Sequence, residues 1–245
     1  MENNQCQKEF LTILTSLAGS RSETAVFEDF IEAAALDIAN HHDNSPVREY
    51  RTERYYSITN RYRPEEQPKL RRLLELVYEA YKDNPAQDFL GQIYMAADQG
   101  SKAKGQFFSP YSVAEIIAGA NFSDVREEIS RQGYFSIAEP CVGAGAMLIA
   151  AANQLIAQGF DPSWQMWVEG QDLSYIAGLM AYVQISVMGI AGCIIAGADT
   201  LETPRGAGLT GEEQAKATFF TPAASHEAWY WRAMIKKYCK KVTSC

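Results

Sequence analysis

Apolar residues recur every three or four positions along the first hundred residues and then change period. From Glu28 to Ala39 a stripe of Phe27, Phe30, Ile31, Ala34, Ala35 and Ile38 predicts an amphipathic helix. Leu70 to Tyr81 repeats the pattern through Leu73, Leu74, Val77 and Tyr81, with Pro68 suited to the first turn, and Asp88 to Ala97 predicts a third helix. Past Gly133, short apolar runs alternate with glycine-containing turns instead. Tyr134 to Ala138, Gln165 to Val168 and Cys193 to Ala196 read as strands, and Gly143 to Ala157 and Leu173 to Met188 as helices between them. Such a βαβαβ succession predicts parallel pairing and half of a doubly wound sheet, because parallel neighbours need a helical crossover. The change falls near Gly100, which divides a helical region 1–99 from an α/β region 100–245. Beyond Thr203 glycines and threonines predict a long loop, and Glu227 to Lys241 a closing helix.

Between Asp172 and Asp199 no charged residue occurs. That length could span a bilayer. The polar Gln184 and Ser186 and the break at Gly189 to Gly192 make it a buried helix followed by a core strand.

Composition narrows the function classes. A chain of 245 residues, 47% hydrophobic and 21% charged, can bury a large core, which excludes a disordered chain or a small disulfide scaffold. Its net charge of −8 repels polyanions, so nucleic acid must be met by a local patch. Two stretches offer one. Between Arg48 and Arg72, basic residues interleave with Tyr50, Tyr55, Tyr56 and Tyr62, and Arg232 to Lys241 carries five basic residues and no acid. Arginine with aromatics suits phosphate tracking and base stacking. The same spacing also gives a solvated helix face with intrahelical ion pairs. Five scattered cysteines without a CxxC pair, with three histidines, predict a reducing cytoplasm and no metal site. The start has neither a basic nor an apolar leader.

Candidate chemistry gathers at the strand ends. Glu139-Pro140-Cys141-Val142-Gly143-Ala144-Gly145 follows the first strand and opens a helix. Its glycines permit a tight turn, and the helix start offers unpaired N–H groups. Asp172 closes the second strand, where a ribose diol is held in doubly wound folds, and Asp199 closes the third. Three carboxylates at successive strand tips suit a cationic nucleoside better than a diphosphate.

Gly105-Gln106-Phe107-Phe108-Ser109-Pro110, Glu139 to Gly145 and Gly197-Ala198-Asp199-Thr200-Leu201 closely resemble, in that order, the GQFFTP, DPACGTG and GDTL motifs of adenine-N6 DNA methyltransferases of the type I restriction M-subunit kind. The resemblance spans about residues 85 to 202. It implies a helical part followed by a partial Rossmann-like class I methyltransferase fold. It also implies S-adenosylmethionine as cofactor, DNA as substrate and a partner subunit for target recognition. Phe108, Ser109 and Pro110 would line the methionine end, with Gln106 in the same motif, and Glu139, Cys141, Gly143 and Gly145 would hold the amino acid moiety. Asp172 would bind the ribose hydroxyls and Asp199 the adenine amine.

Glu139 stands where the family has Asp, Ser109 where it has Thr, and Ala144 where it has Thr. The chemical step departs further. The family uses an Asn/Asp-Pro-Pro-Tyr/Phe tetrapeptide after the fourth strand to accept hydrogen bonds from the target amine and to stack on the flipped base. This sequence holds none; Thr221-Pro222-Ala223-Ala224 stands at the corresponding distance, making Thr221 and Pro222 degenerate candidates. The stretch from there to Cys245 is short for completing the sheet or holding a target-recognition domain. Two functions follow: a DNA methyltransferase subunit of a restriction-modification system, or a catalytically silent methyltransferase-like protein acting as decoy, regulator or anti-restriction factor.

Overall fold

The structure is a computed structural model that describes residues 3–19, 21–42, 45–97 and 108–232. Gln106 and Phe107, and the basic stretch after Arg232, lie outside the described residues, as does the closing helix beyond its first turns at 227–232.

Five helices precede the sheet: α1 (Asn3–Ala18), α2 (Glu23–His42), α3 (Val47–Thr59), α4 (Gln67–Asp83) and α5 (Phe89–Ala97). The apolar stripe of α2 is buried as its spacing requires, with Phe27, Phe30 and Ile31 at most 1% exposed. Phe10 of α1 is the hub, edge-on to Phe30 at 5.3 Å and to Phe89 at 5.7 Å. Each such pair is worth about 0.5–1.5 kcal/mol beyond its burial.

The interleaved arginines turn out to hold these helices together. Arg54 grips Glu32 of α2 with two hydrogen bonds of 2.6 and 2.7 Å. Arg61 and Arg21 share Asp29, and Arg72 of α4 reaches Glu9 of α1 as well as Glu75 and Glu79. Several of these bridges therefore join separate helices, where the spacing predicts pairs within one helix. The Arg48 to Arg72 stretch is thus not a free basic face: its guanidinium groups at 54, 61, 63 and 72 are committed to protein carboxylates.

The α/β region runs α6 (Tyr111–Asn121), α7 (Arg126–Gln132), β1 (Phe135–Glu139), α8 (Ala146–Ala157), α9 (Pro162–Gln165), β2 (Met166–Asp172), α10 (Tyr175–Val187), β3 (Ala191–Ala196), α11 (Gly211–Ala217) and β4 (Thr218–Phe220). The strands are ordered β1-β2-β3-β4. The first three are parallel, as the crossover helices require, and β4 joins β3 antiparallel. The long loop predicted beyond Thr203 is corrected here. Thr210 and Glu213 form a reciprocal capping box that starts α11, and Phe219, 1% exposed, packs β4 against Tyr182.

The uncharged run is α10 followed by β3, with Tyr182, Gln184 and Ile194 fully buried. No helix among the described residues is long and apolar enough to cross a membrane. One continuous core joins Phe10, Phe27 and Leu73 of the helical region to Leu148, Tyr182 and Ile194 around the sheet. At the outer edge of β1 the Glu128 carboxylate accepts hydrogen bonds from the Ser136 N–H, the Ser136 hydroxyl and the Gln132 amide.

Candidate functional site

A cleft of about 490 Å³ opens at the carboxyl ends of β1 and β2, lined by Phe108, Ser109, Glu139, Cys141, Gly143 and Asp172 among others. Its floor is the turn between β1 and α8. Gly143 and Gly145 have φ of 55° and 101°, in the left-handed region that only glycine enters without strain. A Cβ on Gly143 would stand 3.1 Å from the Phe108 ring, so the aromatic lid and the bare backbone fit each other. A Cβ on Gly145 would meet Ala181 of α10 at 3.3 Å; this glycine serves helix packing and lies behind the cleft lining. No side chain caps α8 at Gly145, which leaves the N–H groups of its first turn without a side-chain acceptor, and Ala146 and Met147 of that turn form part of the cleft wall.

Asp172 ties the two strand tips together. Its Oδ2 accepts the Gly143 N–H at 2.8 Å and its Oδ1 accepts the Ser174 N–H at 2.8 Å. An ionised carboxylate offers about four acceptor positions, so room remains for hydroxyl donors. The Glu139 carboxylate accepts the Cys141 N–H at 3.1 Å and shapes the turn from its other end.

The sequence pattern of the N-6 DNA methylase family matches residues 85–240. The chain belongs to the N-6 DNA methylase family. With the family goes its cofactor, S-adenosylmethionine, and the cleft suits it: about 490 Å³ falls within the roughly 300–1,000 Å³ of small-molecule sites. A solved structure described as a class I S-adenosylmethionine-dependent methyltransferase of Listeria monocytogenes is similar at 14% identity and a TM-score of 0.40. The similarity covers 77% of this chain and 52% of that one, so this chain spans about half the length of that structure. No curated protein matched.

The remaining sequence-predicted residues of this N-6 DNA methylase family member fall at three places. Pro110 caps the start of α6 and is not among the residues lining the cleft. Asp199 also stands outside the lining, where its carboxylate accepts the Leu201 N–H at 2.8 Å. Its loop is nevertheless joined to the site, because the Thr200 hydroxyl donates to the Pro140 carbonyl and the buried Gln171 amide holds the Ala198 and Thr203 carbonyls. Thr221 and Pro222 are elsewhere. Antiparallel β4 carries the chain to the amino end of β3, and there the buried Thr221 hydroxyl accepts the Gly192 N–H at 3.0 Å. The cleft lies at the opposite, carboxyl ends of the strands.

Two residues at the site escape a reading of motifs. Gln184 of α10 is fully buried and uses its whole amide: its NH2 donates to the Ala144 carbonyl and to Asp88, and its oxygen accepts the Tyr81 hydroxyl and the Leu90 N–H. Asp88, at the start of α5, lines the cleft. The only sequence signal for Gln184 was its polarity within an uncharged run, since a buried amide requires partners. Among the described residues no three His, Cys, Asp or Glu side chains gather to hold a metal ion.

Proposed function

We propose that this chain is the cofactor-binding subunit of a cytoplasmic DNA adenine-N6 methyltransferase of the restriction-modification kind, with a partner subunit supplying target recognition. The observation that carries this reading is the Asp172 carboxylate bound to the Gly143 N–H, which fixes an acidic strand tip beside a glycine turn and an open helix start. In this arrangement Asp172 receives the ribose hydroxyls, Glu139, Cys141 and Gly143 surround the amino acid moiety, and Phe108 and Ser109 close over the methionine end. Gly145 contributes by letting α10 approach the turn, and Asp199, which stands outside the cleft lining in the loop tied to Pro140, is assigned to the adenine amine through the family resemblance. The cofactor supplies an electrophilic methyl group; the chain's task is to hold it oriented and out of water.

A second reading is favoured by the position of Thr221: the chain alone is catalytically silent and acts through binding, as a decoy or regulator. With Thr221 and Pro222 at the amino end of β3, they stand across the sheet from the cofactor cleft.

Calorimetric titration with S-adenosylmethionine tests the shared premise. Wild type is expected to bind, and Asp172→Ala to lose at least about a hundredfold in affinity, or roughly 2.7 kcal/mol. An unchanged affinity in the variant would remove Asp172 from the site. Methyl transfer to DNA by the chain assayed together with the subunits that co-purify with it then separates the two readings, since the silent protein incorporates none even in their presence.

A further inference from the structure

Neither the sequence motifs nor the family match gives a role to the carboxylate of Asp88. It is 3% exposed and lines the cleft together with Phe108, Gly143 and Ala144. One oxygen, Oδ1, accepts the Gly91 N–H at 2.9 Å and the Gln184 amide at 2.9 Å. Among the described residues no Lys, Arg or His forms an ion pair with it. A carboxylate withdrawn from water without a cation is costly as an ion, and burial holds this one above the usual carboxylate range against the pull of its two donors.

The surroundings are built for the group. A Cβ on Gly91 would overlap the Asp88 carboxylate, so the backbone of α5 leaves space for it. Gln184 binds Asp88 and the Ala144 carbonyl with the same nitrogen, at 2.9 and 2.6 Å, and thereby sets the carboxylate at a fixed position relative to the glycine turn. Ala146 and Met147 of the first turn of α8 share the same wall. N–H donors at a helix start, which suit a carboxylate, thus stand beside a buried acid that meets no cation among the described residues. An α-amino acid carries both complementary charges on one carbon.

We propose that Asp88 accepts the ammonium group of the cofactor's methionine moiety, while the first turn of α8 receives its carboxylate. This inference rests on the cofactor reading above. The nucleoside end is given to Asp172 at the tip of β2, and Asp88 faces the cleft from α5, a different element of the wall.

Three ligands separate the ammonium from the rest of the molecule: S-adenosylmethionine, S-adenosylhomocysteine, which keeps the ammonium but has a neutral sulfur, and 5′-methylthioadenosine, which lacks the amino acid part. Asp88→Asn retains the acceptor for Gly91 and is expected to weaken the first two by about tenfold or more, with 5′-methylthioadenosine unchanged. The unchanged ligand also shows that the variant is folded. Weakening of S-adenosylmethionine alone would place Asp88 at the sulfonium and overturn the proposal. Equal weakening of all three would make Asp88 merely structural, and no weakening would exclude it from binding. Glu139→Gln, titrated in parallel, gives the competing site: the expected pattern in that variant and not in Asp88→Asn would move the ammonium to Glu139. Failure of wild type to bind either S-adenosylmethionine or S-adenosylhomocysteine would overturn the cofactor reading itself, and this proposal with it.

Discussion

One amide fixes four segments around the cleft. Gln184 reaches the Tyr81 hydroxyl in α4, the Leu90 N–H in α5, the Asp88 carboxylate before it and the Ala144 carbonyl in the glycine turn. Replacing it with methionine keeps the volume and strands several buried polar groups, each costing about 1–3 kcal/mol. Gln184→Met is therefore expected to lose roughly 3 kcal/mol or more in urea unfolding, a loss reserved for broken buried networks. The glycine turn and Asp172 were legible in the sequence because their meaning is local: glycines after an apolar strand, an acid at the next strand's tip. Gln184 and Asp88 were not, since they are separated by 96 positions and their contact exists only in the folded chain. Asp199 shows the reverse case, a residue singled out by its motif whose carboxylate is also needed by its own loop.

Strands and helices were legible where the apolar spacing was regular, and α1, α3 and α6 were not singled out. The three parallel strands and the helices α8 and α10 stand where the βαβαβ pattern predicts, with ends shifted by up to a few residues. The segment after Thr203 was not, because α11 is only Gly211–Ala217 and buries no residue; its start depends on the capping box and its end on β4 pairing with β3. That pairing decides what Thr221 does. Thr221→Val is expected to cost about 1–2 kcal/mol by leaving the Gly192 N–H without its acceptor, and to leave S-adenosylmethionine affinity unchanged. A fall in cofactor affinity comparable to that of Asp172→Ala would return Thr221 to the site. The arginines of α3 and α4 carry a similar lesson: composition reveals guanidinium groups, and only the packing of α1 and α2 shows which carboxylates they meet.

For the molecule as a whole, the helical and α/β regions differ in pattern but share their interior. Phe10, Phe89 and Leu73 belong to the same buried cluster as Leu148 and Tyr182. A shared core predicts cooperative loss of both regions. All four tryptophans, Trp164, Trp167, Trp229 and Trp231, lie after residue 100, so their fluorescence reports the α/β region, while circular dichroism is dominated by helices from both. The two unfolding curves are expected to coincide; an earlier dichroism transition would show the amino-terminal helices melting separately.

The Glu128 carboxylate at the rim of β1 bears on how these molecules treat one another. A parallel strand at the border of a sheet is a template on which a neighbouring chain can stack. Here an approaching strand would find the Ser136 amide already taken, with a negative group in the position it needs, on a protein whose net charge is −8. One glutamate thereby occupies the hydrogen-bonding position and places a charge at the border strand of the described sheet.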